Sequence, residues 1–212
     1  LVSCAHLNEE LMAGSEDERI SYRIKAGVPG PLVEAAIVDA EGRFLPADGE
    51  TQGELVLRAP WLTEGYFNEP QKGAELWAGG WLHTGDVATL DSMGFIDIRD
   101  RIKDVIKTGG EWVSSLDLED LISRHVAVRE VAVVGIPDPQ WGERPFALLV
   151  IHDGHQVGAR ELKEHLKPFV EQGHLSKWAI PSQIALVTEI PKTSVGKLDK
   201  KRIRLDITEW QA

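Results

Sequence analysis

The spacing of apolar positions changes near residue 103, and the change divides the chain. Before it, short alternating runs are separated by Gly and Pro. Residues 33–38 and 53–58 have strand character, the latter with Leu55 and Leu57 on one face. Residues 87–90 and 95–98 add two more strands, the last with Phe95 and Asp97 facing one way and Ile96 and Ile98 the other. Residues 60–70 carry Trp61, Gly65, Tyr66 and Phe67 and predict an aromatic loop. Residues 1–18, ending in an acidic run, predict a surface loop or helix tail. Together these predict a small antiparallel, barrel-like β unit over roughly residues 20–100. After residue 103 the period lengthens. Ser114 as N-cap, acids in the first turns, and Leu118, Leu121 and Ile122 on one side predict a helix over 114–125. Strands are predicted at 128–136, 145–151 and 184–187, with a loop over 137–142. Helices are predicted at 159–170, where Leu162, Leu166 and Val170 recur every fourth position, and at 200–207. The fold class expected is α+β (mixed α/β): a β-rich section over 1–102 and a compact α+β domain over 103–212.

The junction has its own texture. Five of the six residues 99–104 are charged, and Val105 and Ile106 follow before Lys107, Thr108, Gly109 and Gly110. Such a charge cluster is foreign to a buried strand, and a helix does not run stably into paired glycines. The pattern predicts a strand, an exposed charged turn, a short strand and a glycine turn. Paired glycines allow positive φ and a close backbone approach to a ligand.

Composition narrows the function classes. At 212 residues, with 42% hydrophobic and 27% charged, the chain has the make-up of a globular protein with a substantial core. No apolar run approaches the ~20 residues that cross a bilayer. A single cysteine, Cys4, excludes an internal disulfide framework and fits a reducing, cytoplasmic setting. A net charge of −11 argues against nucleic acid as a partner, despite a local basic patch over 192–204. No metal-ligand spacing, nucleophile elbow or dinucleotide fingerprint is present.

Three stretches carry candidate chemistry. In Gly80-Trp-Leu-His-Thr-Gly-Asp86, Gly85 predicts a tight turn that offers the Asp86 carboxylate to vicinal hydroxyls; the alternative is an Asx-type turn closed by Thr84 and Asp86. In the charged stretch, Arg101 offers a donor fork to hydroxyl or phosphate oxygens. Pro191-Lys-Thr-Ser-Val-Gly-Lys197 resembles a phosphate loop but has Pro191 and Leu198 where that motif needs Gly and Ser or Thr. It presents Lys197 on a loop before a helix, where a cation can stabilise charge developing on phosphate or carboxylate.

These motifs, in this order, resemble the acyl-adenylate-forming superfamily of acyl-CoA synthetases, luciferases and peptide-synthetase adenylation domains. Gly109-Gly-Glu-Trp-Val-Ser-Ser115 and Pro139-Gln-Trp-Gly-Glu-Arg-Pro145 are most similar to medium- and long-chain fatty acyl-CoA synthetases. The resemblance implies the end of a large adenylate-forming domain followed by a mobile C-terminal domain. It implies that Asp86 holds the ribose hydroxyls of ATP and acyl-AMP with help from Arg101. Lys103 falls at the hinge position, and Lys197 bridges acyl carboxylate and α-phosphate. Lys107, Gly109 and Gly110 belong to the face that admits the CoA thiol, while Lys103, Lys107 and Trp112 also approach the nucleotide. ATP with Mg2+ and CoA are the implied cofactors, the magnesium held mainly by an upstream part, and a fatty acid is the substrate. The family's upstream Ser/Thr/Gly-rich phosphate loop and Tyr-Gly-x-Thr-Glu motif are missing here, so this chain alone is expected to have little ligase activity. A carrier-protein-loading adenylation domain and a non-catalytic interaction module are the alternatives. Homodimer formation and peripheral membrane contact stay open.

Overall fold

The computed structural model describes residues 2–210. It divides into two compact units, Leu1–Lys103 and Asp104–Ala212.

In the first unit, β1 (Ser3–Cys4) pairs antiparallel with β2 (Val28–Pro29). Between them lie α1 (Glu9–Ala13) and α2 (Glu16–Arg23), where a surface loop or a helix tail was expected over residues 1–18. Both have side-chain N-caps: Asn8 Oδ1 accepts from the Leu11 amide and Ser15 Oγ from the Glu18 amide. The main body is β3 (Glu34–Val38), β4 (Gly53–Arg58), β5 (Leu82–Leu90) and β6 (Ile96–Arg101), an antiparallel sheet in sequential order. It is open, with β3 and β6 at its edges, and no closed barrel forms among the described residues. A helix, α3 (Pro70–Leu76), follows the aromatic loop between β4 and β5. Ile37, Leu55, Leu57, Ala88 and Ile96 make this unit's core.

The predicted charged turn is shorter than the charge cluster. Arg99, Asp100 and Arg101 belong to β6, and Asp100 is only 2% exposed, its carboxylate accepting the Arg101 amide. Arg99 pairs with Asp97 and Arg101 with Asp86, so an edge strand holds these charges by partnering them.

The second unit opens on the hairpin β7 (Ile106–Thr108) and β8 (Glu111–Val113). Then come α4 (Ser115–Ser123), β9 (Val128–Asp138), β10 (Gly142–Ile151), α5 (Ala159–Glu171), β11 (Gln183–Leu186), α6 (Lys200–Leu205) and α7 (Ile207–Trp210). β10 is central: β9 runs antiparallel along it, β11 pairs with it in parallel, and β7 meets it at Gly142. Side chains of β9 and β10 alternate between two cores. Val131, Val133, Ala147 and Leu149 pack with Leu118 and Ile122 of α4 and Leu162 and Leu166 of α5. Ala132, Val134, Phe146 and Leu148 pack with Ile190 and Ile203. Burial on both faces explains the near-continuous apolar run over 145–151. No helix of the described residues is long and apolar enough to cross a membrane.

Candidate functional site

Asp86 and Arg101 are direct register partners on β5 and β6. Arg101 Nε lies 2.8 Å from Asp86 Oδ1, with the Arg101 side chain 59% and the Asp86 side chain 27% exposed. The other carboxylate oxygen makes no hydrogen bond among the described residues and stays available to a hydroxyl donor. Gly85, at φ +71°, sits within β5 rather than in a turn before it. The ladder slips on both sides of this stretch, between Glu54 and Val56 and between Val87 and Ala88, so the chain bulges there. Ile102 N–H donates to the Gly85 carbonyl at 2.9 Å and ties the bulge to the end of β6.

Thr84, not Asp86, closes the local turn: its hydroxyl accepts the Asp86 amide at 3.1 Å and donates to the Leu55 carbonyl at 2.8 Å. Glu54 was not singled out in the sequence, yet it organises the same bulge. Its Oε1 accepts the Gly85 amide at 3.1 Å, and its Oε2 lies 2.8 Å from His83 Nδ1. A carboxylate inside the otherwise apolar segment Gly-Glu-Leu-Val-Leu was the available signal.

Lys103 is exposed, in the turn between β6 and β7. In the second unit, Lys107 and Trp112 are cross-strand partners, with Lys107 Nζ 5.6 Å from the Trp112 ring centroid. Gly109 and Gly110, at φ +60° and +84°, make the two-residue turn between them. The Gly109 amide donates to the Trp141 carbonyl at 3.0 Å. A Cβ on Gly109 would stand 3.5 Å from the Trp141 ring and 3.8 Å from that of Trp178. Space is therefore adequate and the backbone conformation is the constraint. Gly109→Ala is expected to lower stability by about 1–2 kcal/mol, the cost of a left-handed L-residue, and Gly109→Asn by less. Denaturation midpoints of the two variants check this. Glu143, within the Pro139–Pro145 stretch, accepts the Lys107 amide at 2.9 Å and so holds β7 from β10.

Lys197 stands at the end of a tight turn. Thr193 N–H donates to the Lys197 carbonyl at 2.7 Å, Gly196 N–H to the Thr193 carbonyl at 2.9 Å, and Lys197 N–H to the Thr193 hydroxyl at 3.2 Å. Gly196 supplies φ +80°. Below the turn, Lys192 bridges to Leu198 and the Asp199 amide donates to the Pro191 carbonyl at 2.9 Å. The Lys197 side chain is exposed and makes no ion pair among the described residues. The candidate residues thus form three groups: Asp86 with Arg101, Lys107 with Trp112 and the glycine turn, and Lys197 on its own hairpin.

Residues 117–197 match the family model of the AMP-binding enzyme C-terminal domain. A long-chain-fatty-acid–CoA ligase of Thermus thermophilus is 44% identical over 191 residues, which are 90% of this chain and 34% of that protein. A 3-methylmercaptopropionyl-CoA ligase of Ruegeria lacuscaerulensis is 41% identical over 188 residues, 89% of this chain and 34% of that one. Among solved structures, an o-succinylbenzoate CoA synthetase from Bacillus subtilis, in complex with its acyl-adenylate intermediate, matches with a TM-score of 0.76 at 30% identity, covering 90% of this chain and 37% of that one. The chain spans about a third of the length of the curated relatives it matches.

Proposed function

The chain belongs to the acyl-adenylate-forming, AMP-binding enzymes, and we propose that it supplies part of an ATP-dependent fatty acyl-CoA synthetase. The observation that carries this reading is the joint presence of the Asp86–Arg101 pair, the Gly109–Gly110 turn and the exposed Lys197, which makes no ion pair among the described residues. In the first half-reaction the fatty carboxylate attacks the α-phosphate of ATP, giving acyl-AMP and releasing pyrophosphate. In the second, the CoA thiolate attacks the acyl carbonyl, forming the thioester and releasing AMP.

Asp86 accepts from the ribose hydroxyls in both steps, and Arg101 holds its carboxylate oriented. Lys197 serves the first step. Bringing a carboxylate to a polyphosphate joins two anions, and a cation placed against both lowers that barrier. The second step has no such anion pair, so the face with Lys107, Gly109 and Gly110 replaces it, with Lys103 as the pivot. Lys107 and Trp112 approach the nucleotide in the same arrangement. Magnesium would enter with the ATP phosphates, held mainly by residues outside this chain.

Lys103→Pro tests the pivot, because proline fixes φ at about −65°. It is expected to slow thioester formation more than adenylate formation, measured as separate half-reactions in the full-length enzyme. An unaffected second step would move the pivot elsewhere. The reaction itself is tested by following acyl-CoA formation from fatty acid, ATP and CoA, with a carrier protein substituted for CoA in parallel. Product with the carrier alone would replace acyl-CoA synthesis by carrier loading.

A further inference from the structure

A buried lysine lies three residues after Lys197. Lys200 is the first residue of α6, and its side chain is 9% exposed. Its Nζ donates to Ser115 Oγ at 2.7 Å and stands 2.8 Å from Glu119 Oε1, itself only 11% exposed. Both partners are on α4, more than eighty positions earlier in the chain. The same Glu119 oxygen accepts the Val133 amide of β9 at 2.8 Å. One carboxylate therefore joins α4, β9 and the start of α6.

The other limb of the Lys197 hairpin is fastened to the same strand. Lys192 Nζ is 2.7 Å from Glu130 Oε2 on β9. Further along α6, Arg204 reaches Asp104 at 2.8 Å. Ile190 before the hairpin and Ile203 after it are fully buried in one core. The hairpin is thus mounted at both feet, and Lys200 is the foot next to Lys197.

A buried ion pair is rarely more stabilising than apolar side chains of the same size. What it adds is direction: two donors of one ammonium are aimed at two fixed acceptors. We infer that Lys200 is a positioning residue for Lys197: held by Glu119 and Ser115, it seats the start of α6 and sets where the Lys197 ammonium stands during adenylation. This rests on the role proposed above for Lys197.

The test uses the full-length enzyme and separates the half-reactions. The paired variant Lys200→Met/Glu119→Gln removes both charges together, so no lone buried charge remains, and the new amide oxygen can still accept the Val133 N–H. It is expected to slow fatty-acid-dependent ATP–pyrophosphate exchange roughly tenfold while thioester formation from preformed acyl-AMP stays within about twofold, since displacing a reacting cation slightly is enough for such a loss. Adding Lys197→Ala to it should slow exchange no further than Lys197→Ala does alone. Both half-reactions falling together, or exchange unchanged, would overturn the inference. Should the paired variant not fold, Lys200→Arg decides, because guanidinium keeps the charge but changes reach and geometry. The same split at smaller size is expected, and an unchanged ratio of the two rates would overturn the positioning role. Lys197→Ala alone distinguishes the two levels: if it leaves exchange intact, the reading of Lys197 falls; if it abolishes exchange while the Lys200 variants do nothing, only the present inference falls.

Discussion

Replacing Lys197 with Ala in the full-length enzyme is expected to slow adenylate formation by about 10²-fold or more and largely to spare thioester formation from preformed acyl-AMP. The magnitude is that of removing one preorganised group from a site where transition-state charge develops. The selectivity follows from the proposed reaction. Only the first step forces a carboxylate against a phosphate, so only that step needs the cation. The hairpin geometry supports a clean experiment: Lys197 is exposed and makes no ion pair among the described residues, so alanine leaves no buried partner unsatisfied. Its backbone bonds to Thr193 are independent of the side chain's chemistry. Rapid-quench measurement of each half-reaction reads the effect. Equal loss in both would reject the assignment.

Replacing Asp86 with Ala should act on the nucleotide in both steps. The carboxylate offers one oxygen to Arg101, and the other makes no hydrogen bond among the described residues and can take hydroxyl donors. Two charge-assisted hydrogen bonds at about 1.5–3 kcal/mol each would set a loss of about 10²- to 10⁴-fold in kcat/KM for ATP. The loss should appear mainly as a higher KM for ATP and weaker AMP binding, with the fatty-acid dependence little changed. Asp86→Asn, which keeps an acceptor but not the charge, should fall between. Titration calorimetry with AMP and initial rates against ATP measure this. An unchanged ATP dependence would place the ribose elsewhere.

The sequence carried the second unit further than the first, for physical reasons. Helix α4 was legible because a serine cap, early acids and a buried Leu118–Ile122 stripe coincide. The apolar runs of β9 and β10 were legible because both faces are buried. Helices α1 and α2 were less so: they bury only Leu11 between them, which leaves no apolar stripe, and only the caps Asn8 and Ser15 and the acids after them marked their starts. The charges of β6 were misplaced into a turn because their partners lie on neighbouring residues and on β5, which composition alone does not reveal. Gly85 read as a turn because a positive-φ glycine looks alike in a turn and in a bulge.

The candidate residues were named from motifs, but what holds them was hidden. Glu54, Glu143 and Glu119 each send a carboxylate to a distant backbone amide, at Gly85, Lys107 and Val133. Such a bond joins residues far apart in the chain and leaves no local pattern. Only an acid in an unfavourable position, as in the apolar opening of β4, hints at it.

ATP–pyrophosphate exchange on the full-length enzyme tests whether fatty-acid-dependent adenylation runs through Lys197. The assay takes fatty acids of graded chain length, with Lys197→Ala alongside. The expected result is exchange that requires a fatty acid, varies with its length and collapses in the variant. No exchange with any fatty acid, or exchange that survives Lys197→Ala undiminished, would contradict it.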